Sequence, residues 1–140
     1  MIAIIDYGMG NVRSVYNVLN YIGKESVITS APTAIDKASH LILQGVGAFG
    51  DAIKNLKERG LIEILSQQVC EKGKPLLGIC LGLQILARNS EEHGYHTGLG
   101  WFDAEVKRFT LEGMRLKIPH VGWNEIDLKI EHPFLKDIKK

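Results

Sequence analysis

At 140 residues, with 45% hydrophobic and 24% charged side chains, the chain has the size and composition of one globular domain. Its 17 basic and 16 acidic residues leave a formal net charge of +1 with no long block of one sign, so nothing in the charge points to nucleic acid or an anionic membrane as a main partner. No apolar stretch approaches the roughly 20 residues that span a bilayer, and the N-terminus lacks the basic start of a signal peptide. Two cysteines, Cys70 and Cys80, make no disulfide framework, so the expected location is the cytoplasm, where a reduced thiol can act as a nucleophile.

In chain order, Ile2 to Tyr7 is an apolar, β-branched run closed by a Gly-rich turn, which predicts a short buried strand. Asn11 can cap a following helix, in which Val12, Val15, Tyr16, Val18, Leu19 and Ile22 recur at helical spacing until Gly23 ends the pattern. Glu25 to Thr29 and Leu41 to Leu43 are the next strand candidates, the latter running into Gly45-Val46-Gly47. Asp51 to Arg59 reads as a short helix stopped at Gly60, and Leu61 to Glu71 as another with Leu61, Ile62, Leu65 and Val69 on one face. Leu76 to Ile79 is a fourth strand, uninterrupted by polar residues and so expected to be buried. From about Trp101 charged residues interleave the apolar ones, and Ala104 to Phe109, Arg115 to Ile118 and Glu125 to Ile130 read as strands of an antiparallel extension. Apolar strands alternating with amphipathic helices give an α/β fold, a doubly wound, flavodoxin-like, mostly parallel sheet with helices on both faces. Ending at Lys136-Asp137-Ile138-Lys139-Lys140, it is expected to be incomplete at the C-terminus.

The chemistry concentrates at Gly78-Ile79-Cys80-Leu81-Gly82. It follows a strand and precedes an apolar helical pattern at Leu83, Ile85 and Leu86, the setting of a nucleophile elbow. Flanking glycines allow a tight turn around a strained nucleophile, the partial positive charge of a helix N-terminus favours the anionic sulfur, and the Leu81 amide is free to donate to an oxyanion. Cys70, in a helix without flanking glycines, reads as structural. Gly45-Val46-Gly47 also ends a strand, at the sheet edge where ligands of parallel sheets bind; it is either a second oxyanion donor or a plain tight turn. Gly8-Met9-Gly10-Asn11 lacks the third glycine of a dinucleotide fingerprint, since position 13 is Arg, so no NAD and no other cofactor is expected. His93 and His96 lie in a polar, Gly-containing stretch with no Cys pair beside them, which predicts a solvated loop and no metal. Pro119-His120-Val121-Gly122-Trp123-Asn124 reads as a shaped loop serving either a site or an interface.

Taken together, Asp6-Tyr7-Gly8-Met9-Gly10-Asn11, Gly45-Val46-Gly47-Ala48-Phe49, Gly78-Ile79-Cys80-Leu81-Gly82-Leu83-Gln84, Gly98-Leu99-Gly100-Trp101 and Pro119-His120-Val121-Gly122-Trp123-Asn124 resemble, in order, the glutaminase subunit of imidazole glycerol phosphate synthase, a class I (triad) glutamine amidotransferase. The resemblance runs over nearly the whole chain and makes residues 1–140 the N-terminal portion of one such domain. It implies that Cys80 attacks the side-chain amide of glutamine, forms a glutamyl thioester and releases ammonia. It also implies oxyanion amides from Leu81 and from Gly45 and Val46, glutamine-holding roles for Gln84 and Glu92, and positions near a subunit interface for Asn11, His120 and Trp123. The implied partner is a (β/α)8-barrel cyclase subunit in a heterodimer, which uses the ammonia to make imidazole glycerol phosphate and an aminoimidazole carboxamide ribotide for histidine and purine synthesis.

Two departures qualify what the resemblance implies. The family usually has Pro where this chain has Gln44, beside a turn thought to rearrange when the partner binds. The triad His and Glu of the family lie in a His-x-Glu element near the end of a longer chain, and no His-x-Glu occurs in these residues. His93, His120 and His132 are not assigned that role. The expectation is therefore a fragment or truncated product, inactive on its own; the alternatives are a paralogous amidotransferase half serving another synthase, such as one aminating a sugar, and a non-catalytic flavodoxin-like binding protein.

Overall fold

The computed structural model describes residues 1–110, 118, 121–125 and 127. They belong to two compact units, Met1–Arg108 and Phe109–Lys140. In the first, β1 (Ile2–Ile5), β2 (Ser26–Thr29), β3 (His40–Gly45) and β4 (Leu76–Cys80) form an all-parallel sheet in the order β2-β1-β3-β4. Between them run α1 (Val12–Tyr21), α2 (Pro32–Lys37), α3 (Phe49–Glu58) and α4 (Leu61–Ser66). The α/β class and the helix-covered parallel sheet are as the alternation of elements predicts.

Strand alternation divides the core. Ala3, Ile5, Leu41 and Leu43 point to one side and join Ile35 of α2, Phe49, Ala52 and Leu56 of α3, and Leu61 and Leu65 of α4, all buried. Ile4 and Ile42 point to the other side and meet Leu19 of α1, with Val12, Val15 and Tyr16 packed around them. Burial of each such Leu or Ile is worth about 1.5–3 kcal/mol, so the two-sided apolar strands dictate helices on both faces. No helix among the described residues is long and apolar enough to cross a membrane.

The boundaries of α1 are set by local chemistry. Asn11 is its N-cap, with Oδ1 accepting from the Ser14 amide at 3.1 Å. Gly23, at φ 70°, ends it: the Gly23 amide donates to the Asn20 carbonyl at 3.0 Å and the Lys24 amide to that of Leu19 at 2.8 Å, the paired bonds of a Schellman motif. Between β2 and β3 the sequence reading left no helix, and α2 is there, opened by Pro32 at its first turn, a position Pro favours because its missing N–H is not needed. Its far end is held from outside: the Lys74 ammonium donates to the Ile35 and Asp36 carbonyls at 2.8 and 2.7 Å. Hydrogen bonds from Lys72 and then Gln68, both at 2.7 Å, hold the Asp36 carboxyl below the usual carboxylate range. The helix predicted over Leu61 to Glu71 is α4 followed by a π turn at Gln67–Glu71.

Four expectations need correction. β4 is not a buried strand: among the described residues it is an edge of the sheet, and Leu77 and Ile79 are each 37% exposed, outside the cluster that α1 builds over Ile4 and Ile42. Cys70 lies in the π turn and is exposed rather than buried. The small second sheet begins earlier than predicted, with β5 (Asn89–Ser90), β6 (His96–Thr97) and β7 (Glu105–Val106). Its antiparallel pair is β5–β6, and Glu105–Val106, within the predicted strand Ala104 to Phe109, runs parallel to β5. His96 therefore sits in a strand, not a solvated loop, with its ring against Gly50, where a Cβ would lie 2.6 Å from Cε1. In the second unit, Val121 and Trp123 are exposed. The strands predicted at 115–118 and 125–130 fall mainly outside the described residues, as do His120 and His132.

Asn11→Ala removes the cap of α1 and is expected to lower stability by about 1 kcal/mol, whereas Asn11→Gly costs only a few tenths. Denaturant midpoints of the two variants check this, and an Ala variant as stable as the Gly variant would contradict the capping role.

Candidate active site

The carboxyl ends of β1, β3 and β4 bring three loops together, at the edge where parallel sheets present ligand sites. Cys80 ends β4 at φ 53° and ψ −119°, and α5 (Leu81–Gln84) starts immediately after it. A non-Gly residue at such angles costs about 1–3 kcal/mol and persists only where its surroundings impose it. Here the surroundings are backbone. A Cβ on Gly82 would run into the Leu43 carbonyl, and one on Gly78 would lie 2.8 Å from the Leu83 Cα. The flanking glycines thus act by absent side chains: neither has a positive φ, and the strained residue is the cysteine itself. The thiol is exposed.

Helix α5 is a single turn, continued by short bonds from the Leu86 amide to the Leu83 carbonyl at 3.2 Å and from the Ala87 amide to that of Gln84 at 3.0 Å. Four residues align too few peptides for the field expected of a helix terminus. What the elbow offers is individual N–H groups, starting with Leu81, that have no acceptor within the helix. Leu81 is buried, and Gln84, at the far end of the turn, is exposed.

Gly45, the last residue of β3, is the register partner of Cys80. The turn that follows, with Val46 67% exposed and Gly47 at φ 127°, therefore stands beside the thiol. Both ends of this turn are tied. On the strand side, buried Gln44 donates from Nε2 to the Met9 carbonyl at 3.1 Å, and the Met9 side chain rests on Gly47. On the helix side, Glu92 accepts from the Phe49 amide at 2.7 Å through Oε2, placing a carboxylate at the N-terminus of α3. Glu92 is itself held by its amide bond to the buried Ser90 hydroxyl at 3.1 Å. Asn11 spends its side chain on the cap of α1, in the loop that Gln44 anchors.

Sequence-proposed residues Cys80, Leu81, Gly45 and Val46 thus converge, with Gln84 one turn along α5 and Glu92 bonded to the helix that follows the Gly45 turn. Trp123, in the second unit, is fully exposed, and His120 lies outside the described residues. Two contributors had no role in the sequence reading. Gln44 stood out only as a departure from a family pattern, and its link to Met9, 35 residues away, needs the β1–β3 neighbourhood. Tyr7 is fully buried at this end of the sheet, and a Cβ on Gly45 would collide with its hydroxyl. The only sequence signal for it was an aromatic hydroxyl at the end of an apolar run.

A family model for class-I glutamine amidotransferases matches residues 3–132. The chain is 52% identical to the imidazole glycerol phosphate synthase subunit HisH 2 of Nitrobacter winogradskyi, over 99% of this chain and 68% of that one. It is 50% identical to the protein of the same name from Methanococcus maripaludis, over 94% of this chain and 64% of the relative. The chain therefore spans about two thirds of the length of these relatives. A crystal structure of a glutamine amidotransferase superposes with a TM-score of 0.64 over 77% of this chain and 57% of that one, at 23% identity, a likeness of fold.

Two substitutions probe the elbow. Gly82→Ala forces a methyl onto the β3 backbone and is expected to cost about 1–3 kcal/mol, read as a lowered denaturant midpoint. Cys80→Gly removes the side chain from a left-handed backbone position, so its midpoint is expected to equal or exceed that of the parent. A clearly less stable Cys80→Gly chain would show that the backbone there is not strained.

Proposed function

The chain belongs to the class-I glutamine amidotransferase family, among the HisH subunits of imidazole glycerol phosphate synthase, and on that premise we propose that its site takes ammonia from glutamine. The observation that carries this reading is the strained Cys80 elbow, with Gly45 as its register partner on the neighbouring strand. The sulfur attacks the side-chain carbonyl carbon of glutamine. The developing oxyanion accepts from the Leu81 amide and from the Gly45–Val46 turn. Collapse of the tetrahedral adduct expels ammonia and leaves a glutamyl thioester, which water resolves to glutamate. Gln84 and Glu92 hold the substrate. Since one oxygen of Glu92 is engaged by the Phe49 amide, the other is the one left to face it.

The ammonia passes to a cyclase subunit with a (β/α)8-barrel fold, which makes imidazole glycerol phosphate and an aminoimidazole carboxamide ribotide. Asn11, His120 and Trp123 are assigned to contact with that partner. Full exposure of the Trp123 indole supports this, because an aromatic side chain in water is a ready interface anchor. Gln44 gives the site its own character. A proline there has no amide to donate, so the bond to the Met9 carbonyl links the oxyanion turn to the loop carrying Asn11 in a way the usual family residue does not. The attack also requires a base for the thiol proton. These 140 residues contain no His-x-Glu, so the chain by itself is a poor glutaminase.

An electrophilic glutamine analogue, with the reactive group in place of the side-chain amide, tests the site without requiring turnover. Labelling is expected at Cys80, slowed by excess glutamine and absent in Cys80→Ala. Cys70, although exposed, is expected to stay unlabelled because selectivity comes from the glutamine site. Equal, slow labelling of both thiols would refute the reading. Ammonia release from glutamine by the 140 residues alone is expected to be negligible, and a rate matching that of a full-length relative would overturn the stated inactivity.

A further inference from the structure

Tyr7 follows β1 by two positions and is 0% exposed. Its hydroxyl makes no hydrogen bond among the described residues. A buried polar group without a partner is costly, and phenylalanine would fill the same space without that cost. The location of the hydroxyl gives its presence a purpose. A Cβ on Gly45 would collide with it and would also lie 3.1 Å from the Leu81 Cβ. Gly45 is the register partner of Cys80, and Leu81 is the next residue after it. The hydroxyl therefore sits where β1, β3 and the elbow converge, and the missing side chain of Gly45 is what leaves it room.

We propose that Tyr7 is a positioning residue for the thiol, its unpaired hydroxyl donating to the Cys80 sulfur as negative charge develops there. Burial pushes the Tyr7 phenol up to about 12, and the neighbouring Cys80 acts in the same direction, so at neutral pH Tyr7 keeps its proton and remains a donor. The hydroxyl approaches from within the fold, whereas the amides of the Gly45 turn and Leu81 are proposed to serve the substrate oxygen. This inference rests on the reading of Cys80 as the nucleophile.

The test is the rate of Cys80 alkylation by iodoacetamide in the 140-residue chain, followed by peptide mass with Cys70 as internal reference. In Tyr7→Phe the Cys80 rate is expected to fall about three- to ten-fold, the worth of one ordinary hydrogen bond. The Cys70 rate is expected to stay unchanged and the melting midpoint to stay level or rise. Loss of the hydroxyl from a merely structural tyrosine would leave the Cys80 rate where it was, and equal rates in parent and variant overturn the proposal. Cys80 reacting no faster than Cys70 in the parent sinks both this proposal and the nucleophile reading. Should Tyr7→Phe not fold, 3-fluorotyrosine incorporated into the parent chain reports instead. Its position-7 fluorine resonance, assigned by replacing the other tyrosines, is expected to move when Cys80 is alkylated; an unmoved resonance overturns the proposal.

Discussion

The pairing of β3 with β4 is the constraint on which the candidate site depends. Its register sets Leu41 against Leu76 and, four residues on, Gly45 against Cys80. Side chains alternate along a strand, so a slip of one residue would send Leu41 and Leu43 to the wrong face of the sheet and put Gln44 beside the thiol in place of a glycine. The register is thus enforced by the core that β3 shares with α3 and α4, and the site inherits its geometry from that burial. A feature worth little in itself, the neighbourhood of two backbone segments, is held by the largest favourable term in the fold.

Close approach is the second theme. Gly45, Gly78 and Gly82 all lie where a methyl group would meet protein, and the atoms they admit are the Tyr7 hydroxyl, the backbone of α5 and the carbonyl of Leu43. These contacts press the elbow against two strands and hold Cys80 at a positive φ that an L-residue otherwise avoids. The adjoining loops are drawn in by polar ties: Gln44 to the Met9 carbonyl on one side and Glu92 to the Phe49 amide on the other.

Much of this was legible without coordinates, for identifiable reasons. Strands β1 and β3 announce themselves as unbroken apolar runs because they are covered on both faces, and α1 because its cap, its periodicity and its terminal glycine agree. The elbow was legible because Gly-x-Cys-x-Gly between a strand and a helix leaves few backbone solutions. The misses are equally physical. Helix α2 is short, and its C-terminal end is held by Lys74 from a distant segment, an interaction with no local signature. The exposure of β4 and of Cys70 depends on what stands beside them, which periodicity does not encode. The β5–β6 pair was hidden because two-residue strands carry no pattern.

By itself, the sequence determined the class of fold and the identity of the candidate nucleophile, because these follow from short-range rules of burial period and backbone freedom. Only the tertiary structure decided how they are combined. It placed Gly45 opposite Cys80, set the strain on the cysteine rather than on its glycines, and turned Gln44 and Glu92 into ties on the turn that follows Gly45. It also left the Tyr7 hydroxyl buried and unpaired among the described residues, beside the elbow. Each of these depends on distances between segments far apart in the chain, and such distances are fixed by packing, where local propensity has no say.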